Sequence, residues 1–325
     1  MSKAQPPNDL PELLKRAFGR RLRQNVPLAP FTSARIGGQA DYLLEVRSED
    51  ELAEALRRLW ELQLPVRVLG GGSNVLVSDA GFRGVVVLNK ARMVRFEEPE
   101  QGPRVTAESG ASLGVVARRS VARGWAGLEW AAGIPGTIGG AVVGNAGAHG
   151  SDLASCLEMA NILQLDGSVE RWGTDRLQFA YRDSWLKRNP GQAVVLSATF
   201  AMERSSKEKT KATMERIAAH RKRTQPRGAS WGSMFKNPPG DFAGRLIEAA
   251  GLKGMQRGQV QISQKHANFF LNLGGATADD AWKLIQIART RVAEQFGVIL
   301  ELEVELVGDW TSALADAAKA QGGLV

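Results

Sequence analysis

Three consecutive glycines constrain this chain more than any other feature of its sequence. They open the glycine loop, Gly70–Asn74, which lies between two apolar runs, Val66–Leu69 and Val75–Val77. Apolar runs on both sides of a glycine turn predict a strand, a tight loop and a second strand. Because glycine has no Cβ, an anion can approach the main-chain N–H groups of such a loop directly. The loop therefore indicates either a phosphate site or a plain glycine-rich hairpin, and the motif alone does not decide between them.

Length and composition are typical of a globular protein with two or three domains. The chain has 325 residues, of which 43% are hydrophobic and 23% are charged. Cys156 is the single cysteine, so an intramolecular disulfide is excluded, and this suits a reducing cytoplasm. The sequence shows no signal-peptide core and no apolar run long enough to span a bilayer. We therefore expect a cytoplasmic protein without membrane insertion.

The net charge of +8 is concentrated in two segments. Residues 203–227 carry nine Lys or Arg against three Glu, and residues 15–23 carry five Lys or Arg. Such a surface suits nucleic acid, an anionic membrane or a phosphorylated small molecule, whereas a solvated helix face is the simpler interpretation of the N-terminal cluster. A basic nucleic-acid binder without enzymatic activity is one hypothesis, although neither segment carries the interleaved aromatics of single-strand binders.

Periodicity and turn signals predict a mixed order of helices and strands. The segment 124–150 is glycine-rich and shows no periodicity, but its apolar, uncharged composition favours a backbone packed against a flat or anionic ligand over a solvated linker. The predicted helices cover 48–63, 113–123, 204–223, 241–250 and 277–296, and the predicted strands cover 84–88, 105–108, 162–165, 169–172, 193–200 and 298–307.

Several side chains are candidates for chemistry, and each has an ordinary alternative. Arg182 is either a fixed cation that stabilises a developing anion or a surface arginine. Ser233 has no G-x-S-x-G context, so it is either a proton donor or a turn residue. Glu301, Glu303 and Glu305 alternate on the predicted last strand, which places them on one face. That face is either simply solvated or carries a catalytic carboxylate, and the spacing does not choose which. The histidines and the cysteine lack metal-ligand spacing, so we expect no metal site.

Taken together, these segments resemble the UDP-N-acetylenolpyruvoylglucosamine reductase family, which works in peptidoglycan precursor synthesis. The resemblance covers most of the chain, from about residue 31 to residue 308, with the motifs in the family's order. The motifs are Thr32–Asp41, Gly70–Asn74, Gly133–Ala141, Asn145–Ala148, Tyr181–Ser184, Gly232–Pro238, Ser263–Phe269 and Glu303-Val304.

The resemblance implies an α+β fold with a vanillyl-alcohol-oxidase-type FAD-binding domain of two α+β subdomains and a C-terminal α+β substrate domain. The expected divisions are an N-terminal extension (1–30), the FAD-binding domain (31–200, with subdomains at about 31–90 and 91–200), the substrate domain (201–310) and a flexible tail (311–325). Non-covalent FAD and NADPH as co-substrate are also implied. We expect a monomer that binds no nucleic acid.

The resemblance further implies roles for individual residues. Arg182 and Glu303 would stabilise an enolate-like intermediate, and Ser233 would protonate the neighbouring carbon. The implied substrate-binding residues are Tyr181, Lys222, Arg223, Lys236 and Asn237. The implied cofactor-binding residues are Gly70, Gly71, Gly72, Ser73, Asn74, Gly133, Ile134, Pro135, Gly136, Thr137, Gly139, Gly140, Asn145, Ala146 and Gly147.

The implied reaction reduces UDP-N-acetylglucosamine enolpyruvate to UDP-N-acetylmuramate. NADPH reduces the flavin and leaves, and flavin N5 then delivers hydride to the vinyl carbon of the substrate. An FAD-dependent oxidase of the same fold is the alternative. The chain departs from members that close a tyrosine-bearing loop on the substrate diphosphate, because Tyr42 and Tyr181 are its only tyrosines. His149 lies where many members have an aromatic residue.

Overall fold

The computed structural model describes residues 10–310. The first nine residues of the expected N-terminal extension and the expected tail (311–325) lie outside the described residues. The described chain forms two compact units, each built from separate segments. The first unit comprises the chain up to Val26, Ala40–Gly70 and Gly84–Ile217, and the second comprises Pro27–Gln39, Gly71–Arg83 and the chain from Ala218. No helix within residues 10–310 is long and apolar enough to cross a membrane.

Helices and strands follow one another in mixed order along the described chain. The helices are α1 (Leu10–Phe18), α2 (Glu49–Glu61), α3 (Leu113–Val121), α4 (Ile138–Val143), α5 (Thr174–Leu177), α6 (Trp185–Arg188), α7 (Lys207–Thr224), α8 (Ala243–Ala249) and α9 (Ala278–Phe296). The strands are β1 (Leu22–Pro27), β2 (Gln39–Val46), β3 (Val66–Leu69), β4 (Val75–Val77), β5 (Phe82–Asn89), β6 (Val94–Glu97), β7 (Arg104–Glu108), β8 (Trp125–Ala126), β9 (Gly147–Ala148), β10 (Ser151–Asp152), β11 (Leu157–Gln164), β12 (Val169–Trp172), β13 (Ala193–Ala201), β14 (Glu203–Arg204), β15 (Ala229–Ser233), β16 (Gln256–Arg257), β17 (Val260–Ile262), β18 (Phe269–Asn272) and β19 (Glu305–Val307).

The first unit contains two larger sheets and the two short strand pairs β10-β9 and β14-β8. One sheet has the order β1-β2-β5-β3, with β3 and β5 parallel, and the apolar face of α2 packs in a core that includes Val85 and Val87. The other sheet has the order β12-β11-β13-β7-β6 and is antiparallel throughout. Residues of α3 and α4 pack in its core with Phe200 and Ile162. Each sheet buries one apolar face beneath helices, which is the usual arrangement of an α+β domain.

The second unit is built around the antiparallel sheet β15-β18-β17-β16, and residues of α8 and α9 bury their apolar side chains in its core. The segment Gly71–Arg83 joins this unit through the parallel pair of β4 and β19. Asp79, in that segment, accepts N–H groups of Ala278 and Asp279 at 2.9 Å each, at the start of α9. A carboxylate at a helix N-terminus satisfies unpaired N–H groups and complements the helix dipole.

Two sequence predictions are wrong. The segment 298–307 is not one strand, because only Glu305–Val307 is a strand. Glu301, Glu303 and Glu305 therefore do not alternate along one ladder: residues 301–303 bond to the segment 234–236, and only β19 pairs with β4. The segment 124–150 does contain a periodic element, because Ile138, Ala141 and Val142 are buried on one face of α4.

Candidate functional site

The glycine loop connects strands of two different sheets. β3 ends at Leu69 and pairs with β5, whereas β4 begins at Val75 and pairs with β19. The predicted strand, loop and strand are therefore confirmed, and the plain hairpin interpretation is wrong. The division between the two units falls within the loop, with Gly70 in the first unit and the remaining residues in the second.

Two of the loop glycines lie so close to neighbouring atoms that a side chain would clash. A Cβ at Gly70 would lie 2.3 Å from Oγ1 of Thr137, and a Cβ at Gly72 would lie 2.1 Å from the carbonyl oxygen of Phe31. Gly72 also has φ +59°, and its carbonyl accepts the N–H of Ser33 at 2.9 Å. Any larger residue at either position would require the neighbouring backbone or side chain to move.

Several N–H groups of the predicted cofactor-binding segment 133–147 donate hydrogen bonds to backbone carbonyls of the protein. The N–H of Ile138 donates to Ala111 O, that of Gly139 donates to Ser109 O, and that of Ala146 donates to Ala141 O. The Thr137 side chain makes no capping hydrogen bond to α4. A Cβ at Gly140 would have Thr137 Oγ1, at 3.8 Å, as its nearest atom. Gly70 and Gly140 therefore both lie beside the hydroxyl group of Thr137.

Asn145 stabilises the turn that carries Arg182. Asn145 is buried at 2% exposure with φ +39°, and its Nδ2 donates to Asp152 and to the carbonyl of Ala180 at 3.0 Å. Its Oδ1 accepts the N–H of Ala154 at 3.1 Å. The side chain is therefore engaged inside the protein, and its assignment to the cofactor stays a prediction.

Arg182 occupies a tight turn with a strained backbone. Ala180 and Asp183 exchange both backbone hydrogen bonds, and Arg182 between them has φ +55°. Its guanidinium donates to the carbonyl of Gly147, and its own carbonyl accepts Lys187 Nζ at 3.0 Å. A non-glycine residue at positive φ costs energy and is frequent at functional sites. This geometry fixes the direction in which the Arg182 side chain leaves the backbone.

Ser233 and Glu303 lie on neighbouring backbone segments of the second unit. Ser233 ends β15, and the residue after it, Met234, accepts the N–H of Glu303 at 3.0 Å. Two residues further on, the Lys236 N–H donates to Glu301 O at 2.9 Å. Two of the three predicted catalytic residues are therefore brought together, and Arg182 belongs to the first unit.

Asn74, the last residue of the glycine loop, contacts the Glu303 segment directly. Its Nδ2 donates to the carbonyl of Glu303 at 2.9 Å, and its carbonyl accepts the N–H of Glu305 at 3.0 Å. The backbone of Glu303 is thus held by Asn74 at its carbonyl and by Met234 at its N–H. The cofactor role predicted for Asn74 remains a prediction beside this observed contact.

The predicted substrate-binding residues have different surroundings. Lys236 Nζ pairs with Glu301 at 2.5 Å, and Asn237 Oδ1 accepts the N–H of Ala243 at the start of α8. Tyr181 is exposed, and the guanidinium of Arg182 lies 5.3 Å from its ring centroid. Lys222 and Arg223 are exposed in the last turn of α7.

Two contacts are absent from the sequence predictions. Lys265 Nζ donates to the carbonyl of Lys222 at 2.7 Å, which adds a cation to the basic end of α7, where Arg221, Lys222 and Arg223 already lie. Asn268 bonds to the backbone that follows Ser233. Both residues lie in the motif Ser263–Phe269, so the motif identified the segment but gave no partner for either side chain. No cluster of potential metal ligands occurs in the part of the chain that the structure describes.

Family models match two separate parts of this chain. The family model for the FAD binding domain matches residues 40–173, and the model for the C-terminal domain of UDP-N-acetylenolpyruvoylglucosamine reductase matches residues 224–307. An FAD-binding domain followed by this C-terminal domain defines a flavin-dependent oxidoreductase.

Relatives over nearly the whole chain identify the family. The UDP-N-acetylenolpyruvoylglucosamine reductase of Chloroflexus aggregans is 46% identical, with 90% of this chain and 100% of that protein covered. That of Rubrobacter xylanophilus is 47% identical, with 87% and 94% covered. The crystal structure of the Thermus caldophilus reductase matches with a TM-score of 0.75 at 34% identity, covering 88% of this chain and 99% of that one. This chain belongs to the UDP-N-acetylenolpyruvoylglucosamine reductase family, so the predicted family, fold class and FAD cofactor are confirmed.

Proposed function

We propose that this chain catalyses the NADPH-dependent reduction of UDP-N-acetylglucosamine enolpyruvate to UDP-N-acetylmuramate. The observation that carries the proposal is the hydrogen bond from Glu303 N–H to Met234 O, because it brings a carboxyl group and the Ser233 hydroxyl onto adjacent backbone segments. A hydroxyl and a carboxyl group on adjacent backbone segments suit a step that places one proton and stabilises one developing negative charge. We further propose that the protein acts as a cytoplasmic monomer in peptidoglycan precursor synthesis.

The residues of the first unit fit a cofactor that contains a diphosphate. A Cβ at Gly70 would clash with the Thr137 hydroxyl, and Gly140 places no side chain beside it. Bound FAD would supply the hydride-transfer chemistry between NADPH and the vinyl carbon of the substrate. The chain would hold FAD through the main chain of Gly70, Thr137 and Gly140 in the first unit.

Arg182 would bind the carboxylate of the substrate. Its planar guanidinium forms paired hydrogen bonds with a carboxylate, and the charge stabilises the enolate that forms next to it. The turn between Ala180 and Asp183 limits the motion of its backbone. Little reorganisation is then needed when negative charge develops.

Ser233 and Glu303 would complete the reduction. Ser233 O–H donates its proton to the carbon that bears the ether oxygen, after hydride has reached the vinyl carbon. Glu303, carrying a proton, donates a hydrogen bond to the enolate. The addition of one hydride and one proton across the double bond gives the saturated lactyl ether.

The diphosphate of the substrate would be met by basic residues of the second unit. Lys222 and Arg223 are exposed at the end of α7, and Lys265 bonds to the same helix end. Lys236 is less exposed and is paired with Glu301, so it contributes a fixed positive charge rather than a mobile one. Tyr181 and Asn237 remain proposed substrate contacts.

Product analysis under anaerobic conditions tests this function. Enzyme, NADPH and UDP-N-acetylglucosamine enolpyruvate should give one product that has two more hydrogen atoms than the substrate, measured by mass spectrometry, with one NADPH consumed for each product. Hydrogen peroxide formation in air, with no reduced product under anaerobic conditions, would support the oxidase and contradict the proposal.

A further inference from the structure

Asn268 fixes the two residues that follow Ser233. It lies directly before β18 and is 3% exposed. The N–H of Phe235 donates to Asn268 Oδ1 at 2.9 Å, and Asn268 Nδ2 donates to the carbonyl of Phe235 at 2.8 Å. The N–H of Met234 donates to the backbone carbonyl of Asn268 at 2.8 Å. Three hydrogen bonds from one residue therefore hold this backbone in place.

The strand pairing does not supply the two bonds that the Asn268 side chain makes to Phe235. The pairing of β15 with β18 shifts register between Ser230 and Ser233, and Gly232 has φ +78°. The paired register of the two strands ends at Ser233 and Phe269. Past this pair, the Asn268 carboxamide offers one donor and one acceptor to Phe235, as a peptide group of a neighbouring strand would.

The opposite edge of the same segment faces Glu303. Met234 O accepts the Glu303 N–H, and the Lys236 N–H donates to Glu301 O. Residues 234–236 are thus bonded to Asn268 on one edge and to residues 301–303 on the other. The spacing between Ser233 and Glu303 depends on both sets of bonds.

We propose that Asn268 is a positioning residue for the proton transfer from Ser233. It acts through the backbone of Met234 and Phe235 and keeps Ser233 in register with Glu303. The inference rests on the proposed function. A misplacement of a reacting group by about 1 Å lowers rates on the order of 100-fold, so the loss of this support should slow the step that needs Ser233.

The two half-reactions of the holoenzyme separate positioning from general damage. Flavin reduction by NADPH does not require the Ser233 proton, whereas flavin reoxidation by UDP-N-acetylglucosamine enolpyruvate does. Both rates are measured by anaerobic stopped-flow absorbance for the wild type, Asn268→Ala and Asn272→Ala. Asn272 is the matched control, because it lies on β18 and its Nδ2 donates to the carbonyl of Ala34 at 2.8 Å.

Asn268→Asp supplies a second and independent readout. A protonated carboxyl can restore both bonds to Phe235, whereas an ionised carboxylate has no donor for the Phe235 carbonyl. Burial raises the pKa of such a carboxyl, so reoxidation in this variant should slow as the pH rises from about 6 to about 9 relative to the wild type. The titratable and charged groups near this segment include His266, with Lys253 and Glu248 acting on it, and Lys236, Glu301 and Glu303, and they are present in both proteins.

The expected result is a reoxidation rate about 10-fold or more lower in Asn268→Ala, with flavin reduction within about 2-fold of the wild type and Asn272→Ala close to the wild type in both. Equal slowing of both half-reactions, or an unchanged reoxidation rate, would overturn the positioning role. If Asn268→Ala does not fold, the pH dependence of Asn268→Asp decides, and a profile identical to the wild type overturns the role. A wild-type flavin that NADPH does not reduce would instead overturn the proposed function, and this inference with it.

Discussion

Individual residues at this site are held by hydrogen-bond partners that are distant in the sequence. The Glu303 backbone bonds to Met234 on one side and to the Asn74 side chain on the other. The sequence motifs identified Ser233 and Glu303 as residues of interest. They could not identify Asn268 or the contact between Asn74 and Glu303, because local patterns carry no information on which distant backbone group a buried amide will meet.

Replacement of Arg182 tests the need for a planar guanidinium. In Arg182→Lys, we expect kcat/KM to fall on the order of 100-fold, because lysine keeps the charge but loses the paired hydrogen bonds. Arg182→Ala should lose more activity. Steady-state kinetics of both variants provide the measurement. The control is Arg176→Lys, whose exposed parent residue pairs with Glu170, and this variant should keep the wild-type rate. An active Arg182→Ala enzyme would contradict the role.

His266 should make stability depend on pH. Burial lowers the pKa of His266, with the nearby charge of Lys253 as a second cause, while the charge of Glu248 opposes the shift. The Asn268 N–H donates to His266 Nδ1, which fits a neutral imidazole. Because the folded pKa lies below the unfolded value of about 6.5, the unfolded state binds the proton first, and stability falls as the pH falls below about 6.5.

Thermal unfolding of His266→Asn measures this contribution. The midpoint of the variant should fall less than that of the wild type between about pH 7 and about pH 5. His220→Gln is the control, because His220 is exposed on α7, and it should keep the wild-type slope. Identical slopes for the wild type and His266→Asn would show that His266 does not carry the effect.

At the scale of helices and strands, the most accurate predictions were those whose start and end signals both lie in the local sequence. Helix α9 begins at the Thr277 capping box with Asp280 and ends at Gly297, which has φ +67°. The strands predicted at 162–165 and 169–172 correspond to parts of β11 and β12, which pair across the turn at Asp166 and Gly167. The two wrong predictions concern elements that depend on tertiary contacts. Helix α4 is short, and the N–H groups of Ile138 and Gly139 donate to an earlier loop. Strand β19 is defined only by its pairing with β4.

Gly72→Ala tests the fit of the glycine loop within the second unit. The new Cβ would lie 2.1 Å from Phe31 O at a residue with positive φ, so we expect a loss of more than about 2 kcal/mol in the free energy of unfolding. Gly275→Ala is the matched control, since Gly275 has φ +69° and a Cβ added there would meet no atom within 4 Å. Guanidinium titrations provide the measurement, and equal losses in both variants would contradict the steric explanation.

At the scale of the whole molecule, the family resemblance predicted the fold class, but the sequence did not reveal the discontinuous units. The segments Pro27–Gln39 and Gly71–Arg83 belong to the same unit as the C-terminal part of the chain. Gly71–Arg83 is attached by the pairing of Val75 with Glu305, which are separated by more than half of the chain, and Pro27–Gln39 by bonds such as that from Asn272 to Ala34. Local periodicity cannot show such contacts. The expected domain boundaries, at residues 30 and 200, remain predictions.

In the proposed reaction, one enzyme-bound flavin takes electrons from NADPH and gives them to the enolpyruvyl double bond. Anaerobic visible spectroscopy of the purified holoenzyme tests it most directly. NADPH should bleach the yellow flavin absorbance, and one equivalent of UDP-N-acetylglucosamine enolpyruvate should then restore it without oxygen. A flavin that stays bleached until air is admitted would contradict the account and support an oxidase.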